Sequence, residues 1–100
     1  MRKTVRVIFE KEFEIDIDDD MLSAESLAEF GGFIGYSENV ETNEDKVNYL
    51  FKFVARNIFD EDTQFVEGVG YAVPEHLKHF NNEATVTFST DFEDIEVEII

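Results

Sequence analysis

Residues 4–17 read Thr-Val-Arg-Val-Ile-Phe-Glu-Lys-Glu-Phe-Glu-Ile-Asp-Ile, and their alternation decides the fold. Odd positions hold Val5, Val7, Phe9, Phe13, Ile15 and Ile17, with Lys11 the one interruption. Even positions hold Arg6, Ile8, Glu10, Glu12, Glu14 and Asp16. Side chains on a strand alternate between two faces, so a period of two predicts a strand with one buried and one wet face. No Gly, Asn or Pro marks a hairpin near Glu10-Lys11. One long strand, bent or bulged near Lys11, is therefore expected.

Residues 84–100 carry the same pattern. Val86, Phe88 and Phe92 are even, whereas Ile95, Val97 and Ile99 are odd. The change of phase predicts a bulge or a tight turn at Glu93-Asp94, and so one or two strands. Val7-x-Phe9-x-x-x-Phe13 recurs as Val86-x-Phe88-x-x-x-Phe92, which suggests two strands of one sheet with similar bends.

Between these ends the period lengthens. Asp18-Asp19-Asp20 closes the first strand, and a helix is expected over about 23–31. Asp20 or Ser23 would cap it, Leu22, Leu27 and Phe30 would form its apolar face, and Gly31-Gly32 would stop or kink it. Residues 31–37 read as an apolar link. A second helix is expected over about 43–59. Thr42 with Asp45 resembles a capping box, and Val47, Leu50, Phe51, Val54 and Ile58 form one stripe. Asp60-Glu61-Asp62 reads as a turn and residues 63–73 as a strand. Pro74 would open a short helix over 74–80, ended by Asn81-Asn82. The fold class that results is α+β: a mostly antiparallel sheet of three to four strands, with the two main helices packed on one face. The 100 residues are expected to form one domain, 1–100.

Composition narrows the chemistry. Twenty-four Asp and Glu against eight Lys and Arg give a formal net charge of -16, which disfavours direct contact with DNA, RNA or an anionic membrane. With 43% hydrophobic residues and eleven Phe, the chain is not built like a disordered acidic segment. The absence of Cys rules out disulfides, thiol catalysis and Cys-ligated zinc, and suits a reducing cytoplasm. The basic start, Met1 to Arg6, is not followed by an apolar run with a cleavage site, so no secretory leader is expected.

Individual motifs give little catalytic signal. His76 and His79 stand at i, i+3 and could share a metal, but two ligands do not complete a site. Asp16, Asp18 and Asp20 mimic the start of a calcium loop, yet Met21 and Leu27 occupy the positions that need Gly and Glu. Asp60-Glu61-Asp62 fails in the same way at Phe65 and Tyr71. Gly31-Gly32-Phe33-Ile34-Gly35 lacks the Lys and Ser/Thr of a phosphate loop. No catalytic residue, cofactor or metal is expected, and the reading is of a protein without enzymatic activity.

The acidic pattern carries more. Glu10, Glu12, Glu14 and Asp16 would line one face of the first strand, and Glu96 and Glu98 one face of the last, preceded by Asp91, Glu93 and Asp94. Alternate strand residues stand about 6.7 Å apart, comparable to the through-space step between successive phosphates of a nucleic-acid strand. A row of carboxylates can therefore stand in for a row of phosphates. Asp18, Asp19, Asp20, Asp60, Glu61 and Asp62 would form the rim of such a surface.

On these residues the chain resembles the small acidic inhibitors encoded by phages and mobile elements, such as anti-CRISPR and antirestriction proteins. The resemblance is one of class: short length, no Cys, strong negative charge and an α+β core. It implies binding, in the host cytosol, to the nucleic-acid groove of a basic host protein, a nuclease or a CRISPR effector subunit, without catalysis. The alternative is an interaction or homo-oligomeric module that uses an aromatic patch at Phe33, Ile34, Tyr36, Tyr49 and Phe53, with the acids serving only solubility.

Overall fold

The computed structural model describes residues 1–36, 39–58, 64–80 and 83–100. The elements are β1 (Val5–Ile17), a 3-10 turn (Asp19–Leu22), α1 (Ala24–Ile34), α2 (Asn43–Asn57), β2 (Gln64–Val66), β3 (Gly70–Pro74), a 3-10 segment (Glu75–Phe80) and β4 (Ala84–Ile99). The strands form one mixed sheet in the order β1-β4-β3-β2. β1–β4 and β2–β3 are antiparallel, and β3–β4 is parallel. The α+β architecture expected from the pattern is what the chain adopts.

The first strand is long and unbroken, as its alternation demands. It pairs with β4 from Val5↔Ile99 to Ile17↔Val86. The tail is likewise one strand, and its phase changes at Asp91 rather than at Glu93-Asp94. The register passes from Glu12↔Phe92 to Phe13↔Thr90, which leaves Asp91 as the extra residue of a bulge. The consequence is that Phe92 leaves the apolar set and lies opposite Glu12 on the acidic face.

Only the inner part of this long pair has cover. Ile17, Val86 and Phe88 join Leu27 and Phe30 of α1, Leu50 and Val54 of α2, Ile58, and Val66, Val69 and Ala72 in one buried core. Phe13 and Ile15 pack against it, with Phe13 edge-on to Phe88 at 6.2 Å between ring centres. β3 pairs with β4 only as far as Phe88. Beyond that point no other described strand pairs with β1 or β4, which continue as a two-stranded ribbon. The molecule extends 57 × 38 × 19 Å and has a radius of gyration of 16.5 Å, against about 13 Å for a compact chain of this length.

The helices follow their signals, with adjusted ends. Ser23, not Asp20, caps α1: the Ser26 amide donates to Ser23 Oγ at 3.1 Å. Gly31-Gly32 does not stop α1. The helix runs through both and ends at Gly35, whose φ is 73°. Gly31 is needed for another reason, because a Cβ there would fall into the Tyr36 ring. Tyr36 folds back on α1 and its hydroxyl donates to the Leu27 carbonyl at 2.5 Å. α2 has the expected capping box: the Asp45 amide donates to Thr42 Oγ1 and the Thr42 amide to Asp45 Oδ2, each at 3.1 Å. The Thr42 and Glu41 amides, both donating to Asp45 Oδ2, hold the Asp45 carboxyl below its usual pKa. Phe59, the expected end of this helix, lies outside the described residues.

The segment expected as one strand over 63–73 is a hairpin instead, and its first residue lies outside the described set. Gly68 (φ 85°) and Gly70 (φ 122°) sit where the chain reverses between β2 and β3, in backbone that residues with a Cβ rarely adopt. Pro74 ends β3 opposite Phe88 and does not open the helix, which spans Glu75–Phe80.

Candidate functional site: the acidic face of the terminal ribbon

The register of β1 against β4 fixes what each face of the ribbon carries. On one face lie the pairs Arg6↔Glu98, Ile8↔Glu96, Glu10↔Asp94 and Glu12↔Phe92, then Glu14↔Ser89 and Asp16↔Thr87. Glu10, Glu12, Glu14 and Asp16 thus form a row on β1 that runs inward, and Asp94, Glu96 and Glu98 a row on β4 that runs outward, and the two rows meet at Glu10↔Asp94. The seven carboxylates share one surface, and every one of these side chains is exposed. Within a row the step is about 6.7 Å, and the two strands lie about 4.8 Å apart.

Arg6 Nη1 meets Glu98 Oε1 at 2.8 Å at the outer end. Among the described residues, no basic side chain pairs with Glu10, Glu12, Glu14, Asp16, Asp94 or Glu96. Glu10 and Asp94 face each other directly, a like-charge arrangement that weakens a sheet.

The other expected site residues separate from this face. Glu93 lies opposite Lys11 on the apolar side, with Nζ and Oε1 4.0 Å apart. It leaves the acidic row because the bulge at Asp91 reverses the phase after it. Asp91 occupies the bulge itself. Asp18, Asp19 and Asp20 are exposed at the inner end of β1, where the Asp18 amide donates to the Thr85 carbonyl at 2.9 Å. Their place is the far end of the same strand. Asp60, Glu61 and Asp62 lie outside the described residues.

The sequence reading missed how the apolar side of the ribbon is arranged. Its pairs are Val5↔Ile99, Val7↔Val97 and Phe9↔Ile95, then Lys11↔Glu93. All six apolar residues are exposed, Val97 at 64% and Ile99 at 67%. Lys11 is the border: its side chain is only 9% exposed, and inward of it the apolar residues are covered. The alternation pointed to an apolar face, but alternation carries no signal for whether something covers it.

The aromatic patch considered at Phe33, Ile34, Tyr36, Tyr49 and Phe53 is mostly inside. Ile34, Tyr36, Tyr49 and Phe53 pack against the core. Phe30, Tyr36, Tyr49 and Phe53 are linked by edge-on ring contacts of 5.2–6.2 Å. Burial and the neighbouring Tyr49 raise the pKa of Tyr36. Phe33 alone of the five is exposed.

Two shallow clefts flank the Glu75–Phe80 segment. One, of about 450 Å³, is lined by Pro74, Glu75, His76, Phe88, Ser89 and Thr90. The other, of about 340 Å³, lies beside Glu14, Asp16 and Glu75. The His79 and Phe80 rings are neighbours, tilted by 41° with centres 4.0 Å apart. Among the described residues, no group of three or more His, Asp or Glu is placed to hold a metal, and no helix is long and apolar enough to cross a membrane. No protein-family model, curated protein or solved structure matches this chain.

Proposed function

We propose that the chain acts without catalysis as a polyanion mimic, an inhibitor of the anti-CRISPR or antirestriction kind. In this reading the acidic face of the ribbon occupies the basic, nucleic-acid-binding surface of a host nuclease or effector subunit in the cytosol. The observation that carries the reading is the register that puts the row Glu10, Glu12, Glu14 and Asp16 and the row Asp94, Glu96 and Glu98 on one face, joined end to end at Glu10↔Asp94. Among the described residues six of the seven carboxylates have no basic partner, and Glu10 and Asp94 repel each other across the strands. Lys and Arg of a partner would relieve that repulsion through charge-assisted hydrogen bonds. The ribbon stands clear of the body, so a groove wide enough for a nucleic acid strand could receive it.

The test is competition. The immobilised chain should retain basic nucleic-acid-binding proteins at low salt and release them to duplex DNA or to raised salt, because exposed charge pairs are screened. Changing Glu10, Glu12, Glu14 and Asp16 together to Lys should abolish retention and leave the fold intact by circular dichroism. Retention that survives reversal of both rows, or that DNA does not displace, would sink the proposal.

A further inference from the structure

We infer that the apolar face of the outer ribbon is the interface of a homodimer, in which two ribbons pack face to face and run in opposite directions. The inference does not depend on the use of the acidic face. Three observations lead to a second copy of this chain as the occupant.

The first is the size and make-up of the face. Val5, Val7, Ile95, Val97 and Ile99 form a contiguous band with no charged group between the tip and the Lys11–Glu93 pair. Each is at least half exposed. Such a band reaches the upper range of apolar patches on monomers, about 300–600 Å². Two of them closed on each other bury on the order of 1,200 Å², the lower limit of a specific interface. A bare two-stranded ribbon is at best marginally stable in water, whereas four strands in two layers are the smallest unit that buries such a face on both sides.

The second is charge. Two copies that each carry -16 repel, so any self-contact must keep the acids apart. Pairing β1 edge to edge would extend the sheet but would set Glu10, Glu12 and Glu14 of the two copies next to one another, which like-charge repulsion opposes. Face-to-face packing turns both acidic faces outward.

The third is polarity along the ribbon. Residues 1–8 hold Arg2, Lys3 and Arg6 and no acid, so all 24 carboxylates lie in the rest of the chain. β4 brings Glu96 and Glu98 to the same end, where Glu98 pairs with Arg6, so the tip is the least acidic part of the molecule, and opposite ribbon directions set it against the other copy while holding the two acidic bodies at opposite ends. A two-fold axis across the ribbon near Val7↔Val97 does this, with Val97 facing the Val97 of the second copy and Ile99 facing its Ile95.

Sedimentation equilibrium of the full chain over a concentration series is the first test. A dimer in the micromolar range that persists at high salt is expected. Val97→Asp should convert it to monomer without moving the melting temperature of the body, and Ile99→Asp, nearer the tip, serves as a second variant should Val97→Asp disturb folding. The chain has no Cys, so single cysteines report geometry cleanly. With a short bismaleimide, Val97→Cys should cross-link to itself, and Ile99→Cys should cross-link to Ile95→Cys in a mixture better than to itself. A monomer at every concentration, a dimer that both aspartate variants leave intact, or Val97→Cys that fails to link within the dimer would each overturn the inference.

Discussion

The inner and outer halves of the β1–β4 pair share one sequence pattern and opposite surroundings. Inward of Lys11, Ile17 and Phe88 are each 3% exposed, packed with residues of α1 and α2 in a sheet that β3 and β2 extend beside β4. Outward of it, Val5, Val7, Val97 and Ile99 alternate just as regularly and stand in solvent on a ribbon that no other described strand joins. The difference teaches that alternation selects a strand and its faces, while stability comes from what lies against the face. The inner half is part of the core, and the outer half is presented surface.

The largest expected effect lies in the inner half. Leu50, fully buried against the sheet, should cost about 2–5 kcal/mol when cut to Ala, read as a lowered midpoint in urea. The same truncation at Val97 should change the midpoint by no more than about 0.5 kcal/mol, provided the protein is dilute enough to be monomeric. Equal losses at the two positions would break the comparison. Next comes Gly31→Ala, which places a methyl in the Tyr36 ring and should cost about 1–3 kcal/mol through overpacking, with a change in the near-ultraviolet tyrosine signal.

Smaller still is the cap of α2. Thr42→Ala should cost about 1 kcal/mol. Asp45 adds a pH signature: its pKa is lowered by folding, so its contribution is present above the ordinary carboxylate value and is lost as pH falls through the depressed one. The stability gap between the native chain and Asp45→Asn should therefore be open at neutral pH and close in acid. The smallest effect belongs to the outer ribbon, where Arg6→Ala removes an exposed ion pair and should shift stability by about 0–1 kcal/mol. Amide exchange sharpens the same contrast. Residues 13–17 and 86–88 should exchange only by near-global opening, and residues 5–9 and 95–99 by local fraying at low protein concentration.

Much of this was legible because the signals are local. The period of β1, the stripe of α2 and the Thr42–Asp45 box need only nearby residues to express themselves. The errors share a cause. Gly31-Gly32 reads as a helix stop, but Tyr36 packs over Gly31 and α1 continues. Residues 63–73 read as one strand because Phe65, Val69, Tyr71 and Val73 fall on one face. The reversal rests on the positive φ of Gly68 and Gly70, which sequence suggests but does not require. The break in phase between Phe92 and Ile95 showed that a residue must be extra. Only pairing with β1 located it at Asp91, and that choice moved Phe92 onto the acidic face and Glu93 off it.

The sequence by itself determined the elements, the α+β class and the rows of acids, since side-chain period and capping act within a few residues. Tertiary structure alone decided that the first and last strands are neighbours, that their acidic rows share a face and meet at Glu10↔Asp94, and that cover by the described residues stops at Lys11–Glu93. The reason is that strand pairing and burial join residues some ninety positions apart, as Arg6 and Glu98 are, and no local pattern specifies the partner or the point where the helices end.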